Sequence, residues 1–374
     1  MIAANVVAIS AQQRKRDAPP PPLPLVPAEQ AWLTMLDAPP AAGGAMDDAR
    51  VYIPLQSARV IALDRRNGAM IWSREIETTR PPVVAGGVVY VAAPEGIRAL
   101  DPDTGAERWR VALARPVIAP IAAARGMLFA AIEPGELAAV RLETGTLAWQ
   151  APLGAATHFA PAAQDDRVYL SLDDGRIVAL SATNGAQLWE RRLSGTLGAP
   201  AVARDRVLVG SDSNDFFALD RDSGRERWTW RAGGDVVGAI GDGDDHVVFA
   251  SLDNLLRSVN RGNGNQRWLK SIPSRPASPP QVIGNVIVVS GVSPTIYAYD
   301  ARDGNLVGTF TAPAELEGPP LIDRMLTPFE VAMVVITRNG PVAGVYPTAM
   351  LFREPPLAPL SPLPGLRLGR EPAP

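Results

Sequence analysis

Ala99-Leu100-Asp101-Pro102-Asp103-Thr104-Gly105-Ala106-Glu107-Arg108-Trp109 decides the fold, because its skeleton returns along the chain at almost constant spacing. Reduced to Ala-Leu-Asp, a Gly four residues on and a Trp four further, it recurs with small changes at 62–72, 139–149, 179–189, 218–228 and 258–268. A seventh copy at 298–304 keeps the Gly and lacks the Trp. Gly68, Gly105, Gly145, Gly185, Gly224, Gly264 and Gly304 step by 37, 40, 40, 39, 40 and 40 residues. Trp72, Trp109, Trp149, Trp189, Trp228 and Trp268 follow in the same rhythm. A fixed Gly and Trp at a period near 40 marks a repeat architecture.

Each period reads as four short strands. In the second, residues 82–85, 88–92, 97–101 and 108–111 are runs rich in Val, Ile and Tyr, separated by Gly86-Gly87, a short loop and the tag. Such runs bounded by Gly, Pro, Asn and Asp are strand and turn signals. Within the tag, Asp and Thr side chains satisfy turn backbone groups, and Gly supplies a positive φ. The small Ala before the turn leaves room for the large Trp after it, across the interface between neighbouring repeats. Helical repeats of similar length are excluded, because these apolar runs break every few residues. Four-stranded units at this period specify an all-β propeller.

The chain ends set the blade count. Seven tags close seven blades between about residues 40 and 312. Residues 319–323, 330–337 and 341–346 supply three more strands with no eighth tag. Trp32 stands 40 residues before Trp72, in the register of the repeat. The economical reading is an eight-bladed β-propeller of four-stranded antiparallel blades, in which residues 29–36 give blade eight its fourth strand and leave no open edge. Seven blades with a detached appendage is the alternative. The expected organisation is a flexible segment at 1–28, the propeller at 29–350 and a Pro-rich tail at 351–374.

Composition narrows the function classes. The chain has 374 residues, 47% hydrophobic, with a net charge of −3. No Lys/Arg block exceeds Arg14-Lys15-Arg16, so neither nucleic acid nor an anionic membrane surface is an expected partner. Two Lys stand beside 34 Arg, a bias that suggests a high-GC genome. No cysteine is present, which excludes disulfides, thiolate metal sites and a cysteine nucleophile. No stretch reaches the roughly 20 apolar residues that span a bilayer. Residues 2–11 are mildly apolar and end in Ala8-Ile9-Ser10-Ala11, like the back half of a secretory signal peptide. Export to the periplasm or cell envelope is therefore expected, with the cytoplasm as the location if Met1 is the true start. Residues 17–27, with the run at 19–24, should form a polyproline II spacer, and the seven prolines in 353–374 should leave that tail disordered.

The tag phrase resembles that of the pyrroloquinoline-quinone (PQQ)-like β-propeller superfamily, over about residues 29–350. Two branches share that fold. Quinoprotein dehydrogenases hold PQQ and a metal, usually Ca²⁺, above the central channel. Non-enzymatic propellers are represented by the BamB-like subunit of the outer-membrane β-barrel assembly machinery. Fold alone does not choose between them. A quinoprotein needs hard oxygen ligands, a carboxylate base and groups stacked on the quinone. The dehydrogenases typically add a vicinal cysteine pair and inserted pocket loops, and this chain has neither. The resemblance therefore implies the non-enzymatic branch, with no catalytic, cofactor or metal residues. A PQQ-dependent enzyme and a propeller binding a small molecule or glycan are the alternatives.

Other constellations yield to turn chemistry. Asp242, Asp244, Asp245 and His246 look like a metal cluster but sit between the first two strands of blade six, where Asp165-Asp166 and Arg204-Asp205 sit in blades four and five. Asp173-Asp174-Gly175 reads as a hairpin. His158 and His246 have no evident Ser or Cys partner. Binding remains, and propeller loops carry recognition. Connections between blades fall at 77–80, 114–115, 155–159, 194–197, 233–235 and 274–275. The candidate partner-binding residues there are Arg80, Arg115, His158, Phe159, Leu197, Asp235 and Arg275. The expected molecule is a monomeric propeller that binds another protein, such as an envelope assembly complex.

Overall fold

In the first six tags, the Trp is what joins one blade to the next. The computed structural model describes residues 25, 27–242, 245–323 and 331–348. The signal-like segment at 2–11, the proline run at 19–24 and the tail at 353–374 lie outside the described residues. Among the described residues there is no helix long and apolar enough to cross a membrane.

Eight four-stranded antiparallel sheets form the ring. Blade two consists of Val83–Ala85, Val88–Ala93, Gly96–Leu100 and Glu107–Ala112. Its four strands lie in chain order, as they do in blades one to seven. Blade eight takes Leu321–Ile322, Met333–Ile336 and Pro341–Pro347 from the end of the chain and Ala28–Met35 from the beginning. The pairing runs from Ala28 opposite Pro347 to Met35 opposite Pro341, so the ring closes through an N-terminal strand. Eight apolar clusters fill the eight interfaces between neighbouring blades. The second and third strands are almost wholly buried, with Val51, Ile53, Val60 and Ile61 among the residues closed to solvent in blade one.

In the tag turn, the Asp101 carboxylate accepts the Asp103 and Thr104 amides at 3.0 Å each, and Thr104 Oγ1 accepts the Ala106 amide at 3.2 Å. The Gly105 amide then donates to the Asp101 carbonyl at 2.8 Å. All seven tag glycines have φ between +66° and +74°, the left-handed region that penalises a Cβ. A bulge follows each tag turn. In blade two Leu100 faces Glu107 while Ala99 faces Trp109, which turns the Trp toward the next blade.

The expected room for the Trp has two sources. Ala62, Ala99, Ala139, Ala179, Ala218 and Ser258 each lie opposite the Trp of their own blade, not across the interface. Across the interface the small residue is the next tag's Gly. A Cβ on any of the seven would sit 2.5–2.9 Å from a Trp ring carbon. Each Trp Nε1 also donates to the carbonyl of the residue after the next tag's first Asp, Arg, Ser or Asn, at 2.8–3.1 Å. Trp32 does the same, donating to the Arg65 carbonyl at 2.8 Å with its ring on Gly68. Seven interfaces are latched in this way.

The eighth, between blades seven and eight, is different. Gly308 stands opposite Ala298 where a Trp would be, and blade eight has no tag to receive one. Phe310, Leu316, Met333 and Val345 pack there instead, joined by Leu25, which is 2% exposed. Leu25 precedes the closing strand, so the start of the described chain contributes to the core of this interface.

Three tag aspartates have carboxyls held below the ordinary carboxylate range near 3.8. Asp220 is lowered by its hydrogen bonds from Arg227 and Ser223, Asp101 by Arg108 and Asp300 by Arg302. A depressed folded value adds stability that is complete above the unfolded value and lost as pH falls toward the folded one. Melting temperature should therefore fall as pH drops below about 4. Asp220→Asn should melt lower than the parent at neutral pH, with the gap closing in acid. A gap that stays constant across that range would contradict this contribution.

Candidate partner-binding face

The chain order of the strands divides the turns between two ends of the ring. The tag turns and the turns between first and second strands share one end. The connections between blades and the turns between second and third strands share the other, here called the loop face. All seven candidate residues belong to connections on the loop face.

Their exposure differs. Arg115, His158, Phe159 and Arg275 are exposed, and Arg80 and Asp235 are half-buried. Leu197 is 2% exposed, bridged to Ser211 and packed in the core between blades four and five. It is therefore removed from the candidate set. Its place in the repeat explains this. Pro40, Val117, Pro276 and Leu316 make equivalent bridges in other blades, so the position is an anchoring one. The apolar residues at 117, 197 and 316, near multiples of the period, were the signal.

The connection at 77–80 is held as a turn, with Thr78 Oγ1 accepting the Arg80 amide at 3.1 Å. Two depressions of about 200 and 310 Å³ flank it and share Glu77, Thr78 and Thr79. One continues to Arg80, Ala93, Pro94 and Pro116, the other to Ala41, Leu55 and Gln56. Further round the ring, His158 Nε2 lies 3.0 Å from Asp173 Oδ2, which joins the blade-four connection to the hairpin at 173–175. The second hairpin carboxylate, Asp174, accepts from Arg176 Nε at 2.6 Å, while Arg176 also reaches Glu190 at 2.8 Å and the Leu153 carbonyl at 3.0 Å. The hairpin acids are thus occupied in fixing the loop face.

A buried pair that sequence reasoning missed fixes the connection at 233–235. Asp253 accepts the Gly233 amide at 3.1 Å and Arg257 Nη2 at 2.6 Å, with both side chains largely closed to solvent. The Arg257 guanidinium lies 5.8 Å from the Trp230 and Phe249 rings, a cation–π arrangement. Arg257 stands at a strand position that is Ile61, Ala138 or Val178 in other blades and Arg98 in blade two, so the cation alone did not single it out. Nor was its partner legible, because only the folded hairpin brings Asp253 beneath it.

On the tag face, the turn carboxylates at 165 and 205 bridge blades. Asp165 pairs with Arg221 at 2.7 Å, and Asp205 pairs with Arg206 at 2.5 Å and with Arg261. Asp242 and His246 face each other in the corresponding blade-six hairpin, whose tip at 243–244 lies outside the described residues. Met46, Ala239, Ile240, Pro279, Pro280, Gln281, Pro319, Pro320, Leu321 and Ile322, from the starts of blades one, six, seven and eight, line a depression of about 450 Å³. Ca²⁺ takes six to eight oxygen ligands. Among the described residues no group of three or more His, Asp or Glu could hold a metal ion.

A family model described as outer membrane protein assembly factor BamB matches residues 27–97, 93–198, 173–279 and 256–345. No curated protein matches the sequence. Among solved structures, BamB from Moraxella catarrhalis is similar at 20% identity and a TM-score of 0.67, over 85% of this chain and 99% of that one. The computationally designed Ika8 protein is similar at 16% identity and a TM-score of 0.73, over the same shares. A quinohemoprotein alcohol dehydrogenase, ADHIIG from Pseudomonas putida HK5, is similar at 14% identity and a TM-score of 0.65, over 90% of this chain and 78% of that one. At these identities the likeness is one of fold.

Proposed function

The chain belongs to the family of outer membrane protein assembly factor BamB, and from that premise we propose that it is a non-catalytic scaffold of the bacterial cell envelope that binds another protein through its loop face. The family match over most of the chain carries the reading. The loop face supports it. Its connections are pinned by Thr78, Asp173, Arg176 and the Asp253–Arg257 pair, so it offers a rigid surface that loses little entropy on docking. Arg80, Arg115, His158, Phe159 and Arg275 project from it as polar and aromatic anchors, residue types that dominate interface energetics. The periplasm is the compartment that suits such a scaffold.

Crosslinking and affinity capture from the native envelope test this. Recovery of a β-barrel assembly complex is expected. A variant combining Arg115→Ala, His158→Ala and Phe159→Ala should lose the partner at least tenfold with an unchanged melt. Retained capture by that variant would remove these loops from the site. Alcohol or sugar oxidation on adding PQQ and Ca²⁺ would overturn the non-catalytic reading.

A further inference from the structure

We propose that the outer strand of blade seven, Leu306–Thr311, is a strand-addition site for an extended, uncharged segment of another protein that carries an aromatic residue opposite Gly308. Leu306–Thr311 is last in the order of its four-stranded sheet, so its outer backbone donors and acceptors have no strand partner among the described residues. Another extended chain is what matches the spacing of such a ladder.

Every blade has an outer strand, and the other seven are guarded. Charge or proline on an edge strand discourages pairing with a foreign chain. Glu75, Arg110, Glu190, Arg231 and Lys270 stand in the outer strands of blades one, two, four, five and six, Pro152 in that of blade three and Glu29 in that of blade eight. Leu306-Val307-Gly308-Thr309-Phe310-Thr311 has neither charge nor proline. Leu306, Val307, Thr309 and Thr311 are exposed along it.

Gly308 gives the edge its shape. It faces Ala298 at the point where six blades set a Trp opposite a small residue. A glycine inside a strand leaves the backbone open to close approach by another. Past the bulge, Gly308 and Phe310 share the face of the sheet that meets blade eight. Phe310 is fixed there by the cluster that includes Leu25, Leu316 and Val345. An aromatic ring from an added strand would lie over Gly308 against Phe310, a favourable cross-strand pairing. On its inner side the strand is paired from Tyr299 opposite Leu306 to Thr295 opposite Thr311, so it is held straight for a newcomer.

A second copy of the chain suits this edge less well. The strand has six residues and is about 20 Å long, and the ring curves away on both sides of it. A stable contact between two globular surfaces buries about 1,200 Å² or more, which one outer strand does not offer. An extended segment escapes that limit, because ladder hydrogen bonds supply its affinity and its alternate side chains supply selectivity. The edge lies on the rim of the ring, so it stands or falls separately from the loop-face reading.

Titration of the whole protein with a capped heptapeptide of alternating threonine and valine around a central tryptophan tests the site. Binding should slow amide exchange in 306–311 and in no other outer strand. A comparator with proline on both sides of the tryptophan should not bind, because it lacks ladder donors. Alanine in place of the tryptophan should weaken binding several-fold. Thr309→Lys with Thr311→Lys should weaken the parent peptide about tenfold or more. Both threonines are exposed, and Glu190 and Arg192 hold the equivalent positions in blade four, so the melt should not change. Unslowed exchange in 306–311, or equal binding by the parent and the double variant, would overturn the site. Equal affinity for the tryptophan and alanine peptides would overturn the aromatic requirement. A doubling of mass in sedimentation without peptide, abolished by the two lysines, would overturn the foreign segment in favour of a second copy.

Discussion

Trp32→Ala is expected to destabilise the protein by about 3–5 kcal/mol, the range for truncating a buried Trp. The side chain is 8% exposed and packs in the core shared by blades eight and one. Its ring lies between Gly344 of its own blade and Gly68 of the next, and its Nε1 satisfies the Arg65 carbonyl. Six other Trp residues make the same contacts, so loss of area alone would not single it out. Trp32 differs because its strand joins the two ends of the chain, and loosening it exposes the edge of Pro341–Pro347. Amide exchange in 341–347 should accelerate in Trp32→Ala more than exchange in any strand of blades three to five. Trp32→Phe should recover most of the packing but cost about 1–3 kcal/mol for the orphaned carbonyl. A melt of Trp32→Ala that matches the parent would refute closure through this strand.

Arg65→Met should cost a similar amount, about 3–5 kcal/mol, because it leaves buried partners uncompensated. Arg65 is 3% exposed. Its Nε and Nη2 donate to the Val331 carbonyl at 2.8 and 2.5 Å, and Nη2 also meets Asp323 Oδ2 at 2.5 Å. Nη1 reaches the carbonyl of Asp48 at 3.3 Å. The guanidinium thus ties blade one to the backbone of blade eight, the blade with no tag turn of its own. Adding Asp323→Asn to Arg65→Met should restore part of the loss, since it removes the carboxylate charge that Arg65 meets. Equal unfolding midpoints for Arg65→Met and the parent in urea would show that this bond network carries no closure energy.

The ring was legible in the sequence because its determinants are local. A turn that needs a left-handed residue writes Gly at a fixed offset from Asp, and Trp32 announced the closing strand by falling on the period. The opposition of Ala62 to Trp72 was legible as a small residue paired with a large one, though not which blade each belonged to. The double duty of the tag glycines was not legible. The turn already explained each Gly, and the Trp ring above it comes from a residue more than 30 positions away.

The site divides along the same line. Exposure at Arg115, His158, Phe159 and Arg275 follows from their place in connections that the period located. Leu197 was misplaced because one residue of register separates a solvent-facing position from a core one. Strand order and the two faces were determined by the sequence alone, through turn chemistry and period, and the pairing of Ala28–Met35 with Pro341–Pro347 decided for eight blades over seven and an appendage. The tertiary structure decided what those rules leave free. It placed Leu25 in the one interface without a Trp, bent Arg65 into blade eight and gathered Arg204, Arg221 and Arg261 from three different turns. Contacts between residues far apart in the chain carry no periodic signature, and only closure of the ring brings them within reach.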